Sequence, residues 1–212
     1  MAPDIQTLLG ANPSADSMTV FLKDLAQHAS ASLTAPEVKS YSDAVYFNYY
    51  ILGISFLFIP QKGYKPTGGL KREHLKDDSL VLDSINIYNA PKPKATPEKS
   101  TTSSRTAELA FSTYPMSKWN LSISPEASAS NESSIEISLT TTGKDFVSCL
   151  GEPDRKGGGA GPSSGSIGIW CEWSKHGIMV EFGGDEARGP QAWERGKDAM
   201  WRVITVFPPK QE

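Results

Sequence analysis

Apolar side chains recur along this chain with two different periods, and the period changes where turn-forming residues stand. In Ser17-Met-Thr-Val-Phe21-Leu22-Lys-Asp-Leu25-Ala-Gln-His28, the positions of Phe21, Leu22 and Leu25 share one helical face, which predicts a helix behind a Ser cap. Thr142-Gly-Lys-Asp145-Phe146-Val147-Ser-Cys149-Leu150 predicts a second, shorter capped helix, stopped by Gly151 and Pro153. Elsewhere the period is two. Trp119-Asn-Leu121-Ser-Ile123 and Ile135-Glu-Ile137-Ser-Leu139 predict a hairpin across Pro125 to Ser134. Trp170, Glu172, Ile178, Val180 and Phe182 alternate about Ser174-Lys-His-Gly177 and predict a hairpin with glycine at the bend. Residues 46–58 predict a like hairpin, but Phe47, Ile51, Leu52 and Leu57 make it apolar on both faces, as expected of a central or covered pair of strands. Further strands are predicted at Leu80 to Tyr88 and Trp201 to Phe207, closed by Pro91 and Pro208.

The two hairpins carry one sequence pattern. Tyr46-Phe-Asn-Tyr49-Tyr-Ile-Leu-Gly53-Ile54-Ser-Phe56-Leu-Phe58 lies without gaps over Trp170-Cys-Glu-Trp173-Ser-Lys-His-Gly177-Ile178-Met-Val180-Glu-Phe182. Upstream, Leu33-Thr-Ala-Pro36-Glu-Val-Lys39 lies over Leu150-Gly-Glu-Pro153-Asp-Arg-Lys156. The downstream copy is longer between its blocks, and the extra length coincides with the Gly-rich stretch from Gly157 to Gly165, a composition that tolerates insertion. The expected fold class is therefore α+β: two duplicated modules, each a helix plus antiparallel β-sheet, side by side on one concave sheet or as abutting lobes. Residues 1–89 form the first module and 107–212 the second. Residues 90–106, rich in Pro, Lys and Ser without a large apolar side chain, form a disordered or extended connection.

A helix, Leu-Gly-x-Pro, a loop, an aromatic-x-x-aromatic strand, a turn and a strand ending in Phe resembles the small α/β module of the BamE (SmpA/OmlA) lipoproteins. In tandem it resembles the β-lactamase inhibitor protein architecture, in which two such modules form one concave sheet. Leu150-Gly-Glu-Pro153, Trp170, Trp173, Gly177-Ile178 and Phe182 carry the resemblance, with Pro36, Tyr46, Tyr49, Gly53-Ile54 and Phe58 as counterparts. It implies a fold and a habit of binding other proteins, and nothing more specific.

Composition narrows the partner. Lys and Arg number 21 against 24 Asp and Glu, a net charge of −3 that argues against nucleic acid and anionic membrane as partners. The apolar run from Ile51 to Pro60 is too short to cross a bilayer, which takes about 20 residues. The start, Met1-Ala-Pro-Asp4-Ile5, has an acid where a signal peptide has a base, so a cytoplasmic chain is expected, with Cys149 and Cys171 as buried thiols rather than a disulfide.

Candidate chemistry gathers in the second half. Arg155 and Lys156 precede a Gly- and Ser-rich stretch containing Ser164 and Ser166, a composition able to cradle an anion, although it fits neither the P-loop nor the dinucleotide fingerprint. Glu172 and Glu181, facing across their hairpin, are a carboxylate pair of the kind a hydrolase uses. His28, His74 and His176 show no metal-ligand spacing, and no cofactor motif is present. The aromatics are the stronger recognition elements. Trp170 and Trp173 are three apart on a strand and so point to opposite faces, while Trp193, in the charged, Gly-rich connection of residues 183–200 with Arg188, has the surroundings of an interface anchor. The sequence is read as a non-enzymatic protein holding a protein partner, with Arg155, Lys156, Trp170, Trp173, Arg188 and Trp193 as contact residues. An anionic small ligand at Arg155 and Lys156 is the first alternative, and a carboxylate-dependent hydrolase the second.

Overall fold

The computed structural model describes residues 4–90, 110–123, 132–159 and 168–210. The 90–106 connection, apart from Ala90, lies outside the described residues, as do Ser164 and Ser166. The fold is α+β, built on one large antiparallel sheet with few helices. Its eight strands are β1 (Glu37–Ser40), β2 (Val45–Tyr49), β3 (Ile54–Pro60), β4 (Leu80–Tyr88), β7 (Arg155–Gly157), β8 (Trp170–Trp173), β9 (Ile178–Phe182) and β10 (Trp201–Val206). They lie in the order β1-β2-β3-β4-β10-β9-β8-β7. A separate hairpin, β5 (Lys118–Ser122) with β6 (Ser134–Ser138), pairs Trp119 with Ile137 and Leu121 with Ile135.

Alternation divides the sheet into a covered and an open face. Phe47, Phe56 and Ile85 share a row on the covered face, as do Ile87, Ile204, Val180 and Cys171 in the other half. On this face lie helix α1 (Asp16–His28), with Phe21 edge-on to Phe56, and helix α2 (Gly143–Leu150), with Phe146 against Trp173 and Phe182. The β5–β6 hairpin packs there too, Trp119 meeting Trp201 edge-to-face at 6.4 Å between ring centres. Phe56, Phe58, Ile54, Ile85 and Ile87 are fully buried beneath these elements, together with Phe146, Trp173 and Trp201. Each such side chain removed from water stabilises the fold by about 1.5–3 kcal/mol.

Local chemistry corrects four details read from the sequence. Helix α1 begins at Asp16 with Ala15 at its N-cap and no side-chain cap, so Ser17 is inside the helix; Asp16 instead places a carboxylate beside the positive end of the helix dipole. Helix α2 begins as expected at Thr142, whose N–H and hydroxyl both donate to Asp145 Oδ2 at 2.7 and 2.8 Å. Gly157 is strand rather than loop, because Arg155–Gly157 pairs with Glu172, Cys171 and Trp170. The 46–58 hairpin is mixed rather than apolar on its open face, where Tyr46, Asn48 and Ser55 stand with Leu57, and Ile51 is exposed in the turn. Cys149 is half-buried while Cys171 is buried, and the two are free thiols.

Both turns are built alike. A 3-10 turn, Tyr50–Leu52 or Ser174–His176, is followed by a glycine in the left-handed region, Gly53 at φ 60° and Gly177 at φ 66°. Tyr88 N–H donates to Gly53 O and Phe207 N–H to Gly177 O, at 2.9 Å each. A Cβ on Gly53 would strike the backbone of Ser112, and one on Gly177 the carbonyl of Phe207. Glycine is required at both bends on two grounds, backbone conformation and close approach.

Candidate functional site: the open face and the edge cleft

The open face is a polar floor with aromatic walls. Tyr46 and Leu57 pair across β2 and β3, Asn48 with Ser55, Ser55 with Asn86, and Asn86 with Thr205, so hydrogen-bonding side chains run across four strands. Ser55 Oγ donates to Asn48 Oδ1 at 2.7 Å, and Thr205 Oγ1 to Asn86 Oδ1 at 2.9 Å. These bonds satisfy the floor internally and fix the amide orientations. Tyr46 and Tyr88 stand half-buried among them. The chain that follows the undescribed connection crosses one side of this face: Phe111 stacks on Tyr88 at 3.8 Å and lies against Tyr50 at 4.6 Å. Between this aromatic wall and the sheet is a cavity of about 470 Å³, lined by Lys39, Tyr41, Tyr46, Asn48, Tyr50, Asn86, Tyr88 and Phe111. Burial raises the Tyr88 phenol well above its ordinary range, so it remains a neutral donor at physiological pH.

Across the β10, β9, β8 and β7 strands the same face carries Val203, Met179, Glu181, Trp170, Glu172 and Arg155. Glu172 and Glu181 are not partners across the hairpin, since Glu172 is paired with Met179 and Glu181 with Trp170. Their environments differ. Burial works to raise the Glu172 carboxyl, but the Ser174 hydroxyl, donating at 2.7 Å, Lys210 at 3.1 Å and Arg155 at 3.3 Å outweigh it and hold it below the ordinary range. Glu181 has no such partners among the described residues, and burial pushes its carboxyl up. The arrangement anchors Glu172 as a structural ion-pair centre rather than a free base.

The six contact residues read from the sequence fall on two faces. Trp170 is half-buried on the open face beside Glu181, and Arg155 is there too, mostly exposed and paired with Glu172. Trp173 points the other way into the core, its Nε1 donating to Gly151 O at 2.8 Å, and so ties β8 to the end of α2. Lys156, one residue beyond Arg155, alternates to the covered face, where its ammonium lies 5.7 Å from the Trp193 ring centre. Trp193 sits on helix α3 (Ala192–Arg195) and is 42% exposed. Arg188 is half-buried in the preceding turn, its Nε enclosed without a hydrogen-bond partner among the described residues. Strand alternation thus splits Arg155 from Lys156, and the two do not form one anion cradle.

Two features escaped the sequence reading. The first is the set of open-face tyrosines, Tyr41, Tyr46, Tyr50 and Tyr88; for Tyr46, its alternation against Phe47 on β2 was the available signal. The second is a cleft of about 300 Å³ on the covered side, between α2, α3 and the β7 edge. Among the described residues no group of three or more His, Cys, Asp or Glu side chains is placed to hold a metal ion, and no helix is long and apolar enough to cross a membrane. Compared with known proteins, the chain matches no family model, no curated protein and no solved structure.

Proposed function

We propose that this chain is a non-enzymatic binding protein that holds a protein partner on the open face of its eight-stranded sheet. The observation that carries the reading is the asymmetry of the sheet. The helices and the β5–β6 hairpin pack on one face, while the other, crossed at one side by Phe111 stacked on Tyr88, presents Tyr46 and Trp170 over an internally hydrogen-bonded polar floor. Tyr and Trp supply large contact area with few rotatable bonds, which is why they dominate binding energy at protein interfaces. The cavity under Phe111 offers such a partner a socket for one side chain. Near-neutral net charge fits recognition by shape and aromatic contact.

The same reading holds the strands 37–88 and 155–206 to be copies of one module joined through β4 and β10, in the manner of the BamE-like tandem architecture. Supporting it are the mirrored strand order and the matching 3-10 turns with left-handed Gly53 and Gly177. Tyr49 pairs with Ile54 as Trp173 pairs with Ile178.

The test is affinity purification from native extract with three baits: wild type, Trp193→Ala, and the open-face pair Tyr46→Ala with Trp170→Ala. A partner recovered with wild type and Trp193→Ala, but about tenfold or more depleted with the open-face pair, is the expected result. A partner retained by the open-face variant and lost with Trp193→Ala would overturn the assignment.

A further inference from the structure

Three lysines from three separate elements converge on the cleft between α2, α3 and the β7 edge. Lys144 comes from α2, Lys156 from β7, and Lys197 from the 3-10 turn Gly196–Asp198 that follows α3. Glu152 is the one carboxylate among the lining residues. No ion pair with a described residue neutralises Lys144, Lys156 or Lys197, so the site has a positive excess held together by the fold. Like charges gathered at one cleft repel one another unless an anion sits among them. The rest of the lining is largely apolar: the buried Ile169, Cys171 and Phe182, with the exposed Val147 and Trp193 beside them. Burial pushes the Cys171 thiol up to about 11, against a smaller lowering by Lys156, so the floor contributes no thiolate to compete with a bound anion at neutral pH.

We propose that this cleft binds a small organic anion with a flat apolar body, such as an aromatic monocarboxylate. The body lies on the apolar floor against Trp193, and the carboxylate meets the lysines at the rim. Lys156 is already drawn to the wall, 5.7 Å from the Trp193 ring centre, so cation and aromatic surface are adjacent before any ligand arrives. The volume, about 300 Å³, lies at the lower end of the range for small-molecule sites, roughly 300–1,000 Å³, which favours a compact ligand over a peptide segment. Because the cleft is on the helix-bearing side, the inference stands independently of the open-face reading.

The experiment is calorimetric titration of the full chain with three probes: 1-naphthoate, naphthalene-1-methanol, which keeps the body without the charge, and acetate, which keeps the charge without the body. The Trp193 indole N–H is followed by NMR in parallel, assigned with Trp193→Leu. Expected is binding of 1-naphthoate with a shift of the Trp193 signal, and about tenfold or greater weakening with either partial probe. The Lys156→Met, Lys197→Met double variant, both at exposed positions, keeps its melting temperature and loses affinity by about tenfold or more. Absence of 1-naphthoate binding at millimolar concentration would overturn the proposal. Equal affinity for naphthalene-1-methanol, or full affinity in the lysine double variant, would overturn it as well.

Discussion

At the scale of single residues, the open face shows how neighbours decide what a carboxylate does. Glu172 and Glu181 are on the same face of adjacent strands, yet Glu172, though buried, is held ionised by Ser174, Lys210 and Arg155, while the half-buried Glu181 lacks such partners among the described residues. The folded-state pKa of Glu181 lies above that of the unfolded chain. Its carboxyl is neutral in both states at low pH, and stability is lost as pH rises through the folded value. Glu181→Gln is therefore expected to raise the melting temperature at pH 7 and to leave it unchanged near pH 3. Glu172 has the opposite sign: its stabilisation is present above the ordinary carboxylate pKa and fades as pH falls through the lowered one, so Glu172→Gln lowers the melting temperature at pH 7 and not at acid pH. Melting curves of both variants at the two pH values check the pair. The sequence showed that two carboxylates were near each other; it could not show their registers, which depend on how β8 is paired, nor that Lys210 would arrive from beyond β10.

At the scale of elements, the apolar period was enough to find α1, α2, β5, β6 and both long hairpins, because each buries one face and hence alternates or repeats. The edge strands were not legible. Glu37–Ser40 and Arg155–Gly157 carry mostly charged or small side chains, and a polar strand leaves no hydrophobic period. Those charges suit an edge, where they discourage pairing with another chain. The Ser cap failed for a related reason: Ser17 is one of several polar residues that could precede Phe21, and the helix starts where Asp16 meets its dipole. The glycine bends were legible, and they carry the sharpest test at this scale. Gly53→Ala and Gly177→Ala each add a left-handed non-glycine and a clash with backbone. Each is expected to cost about 2 kcal/mol or more in urea unfolding, whereas Gly63→Ala, also left-handed but with open space around its Cβ, costs about 1 kcal/mol. Equal costs at Gly53, Gly177 and Gly63 would show that close packing at the two bends is not required.

At the scale of the whole molecule, the sheet is closed in its middle by β4 against β10, a pairing of Ile85 with Val206 and Ile87 with Ile204. Two strands more than a hundred residues apart in sequence meet there, and no local pattern announces such a contact. Each strand is recognisable alone; that they are neighbours is decided by which face each half must bury. The same closure sets which side chains share a face. It aligns the open faces of both halves, so that Tyr46 and Trp170 lie on one surface, and it leaves Trp193 and its lysines on the other. That separation is why the residues proposed from the sequence as contacts do not gather in one place: Trp170 and Arg155 are on the open face, Lys156 and Trp193 on the other, and Trp173 is in the core. The most direct test of the open-face assignment is hydroxyl-radical footprinting of the chain alone and in complex with the partner captured from native extract. Protection of Tyr46 and Trp170 on binding is expected, with Trp193 still labelled. Protection confined to Trp193 and the helix side, with the open-face aromatics labelled as before, would contradict it.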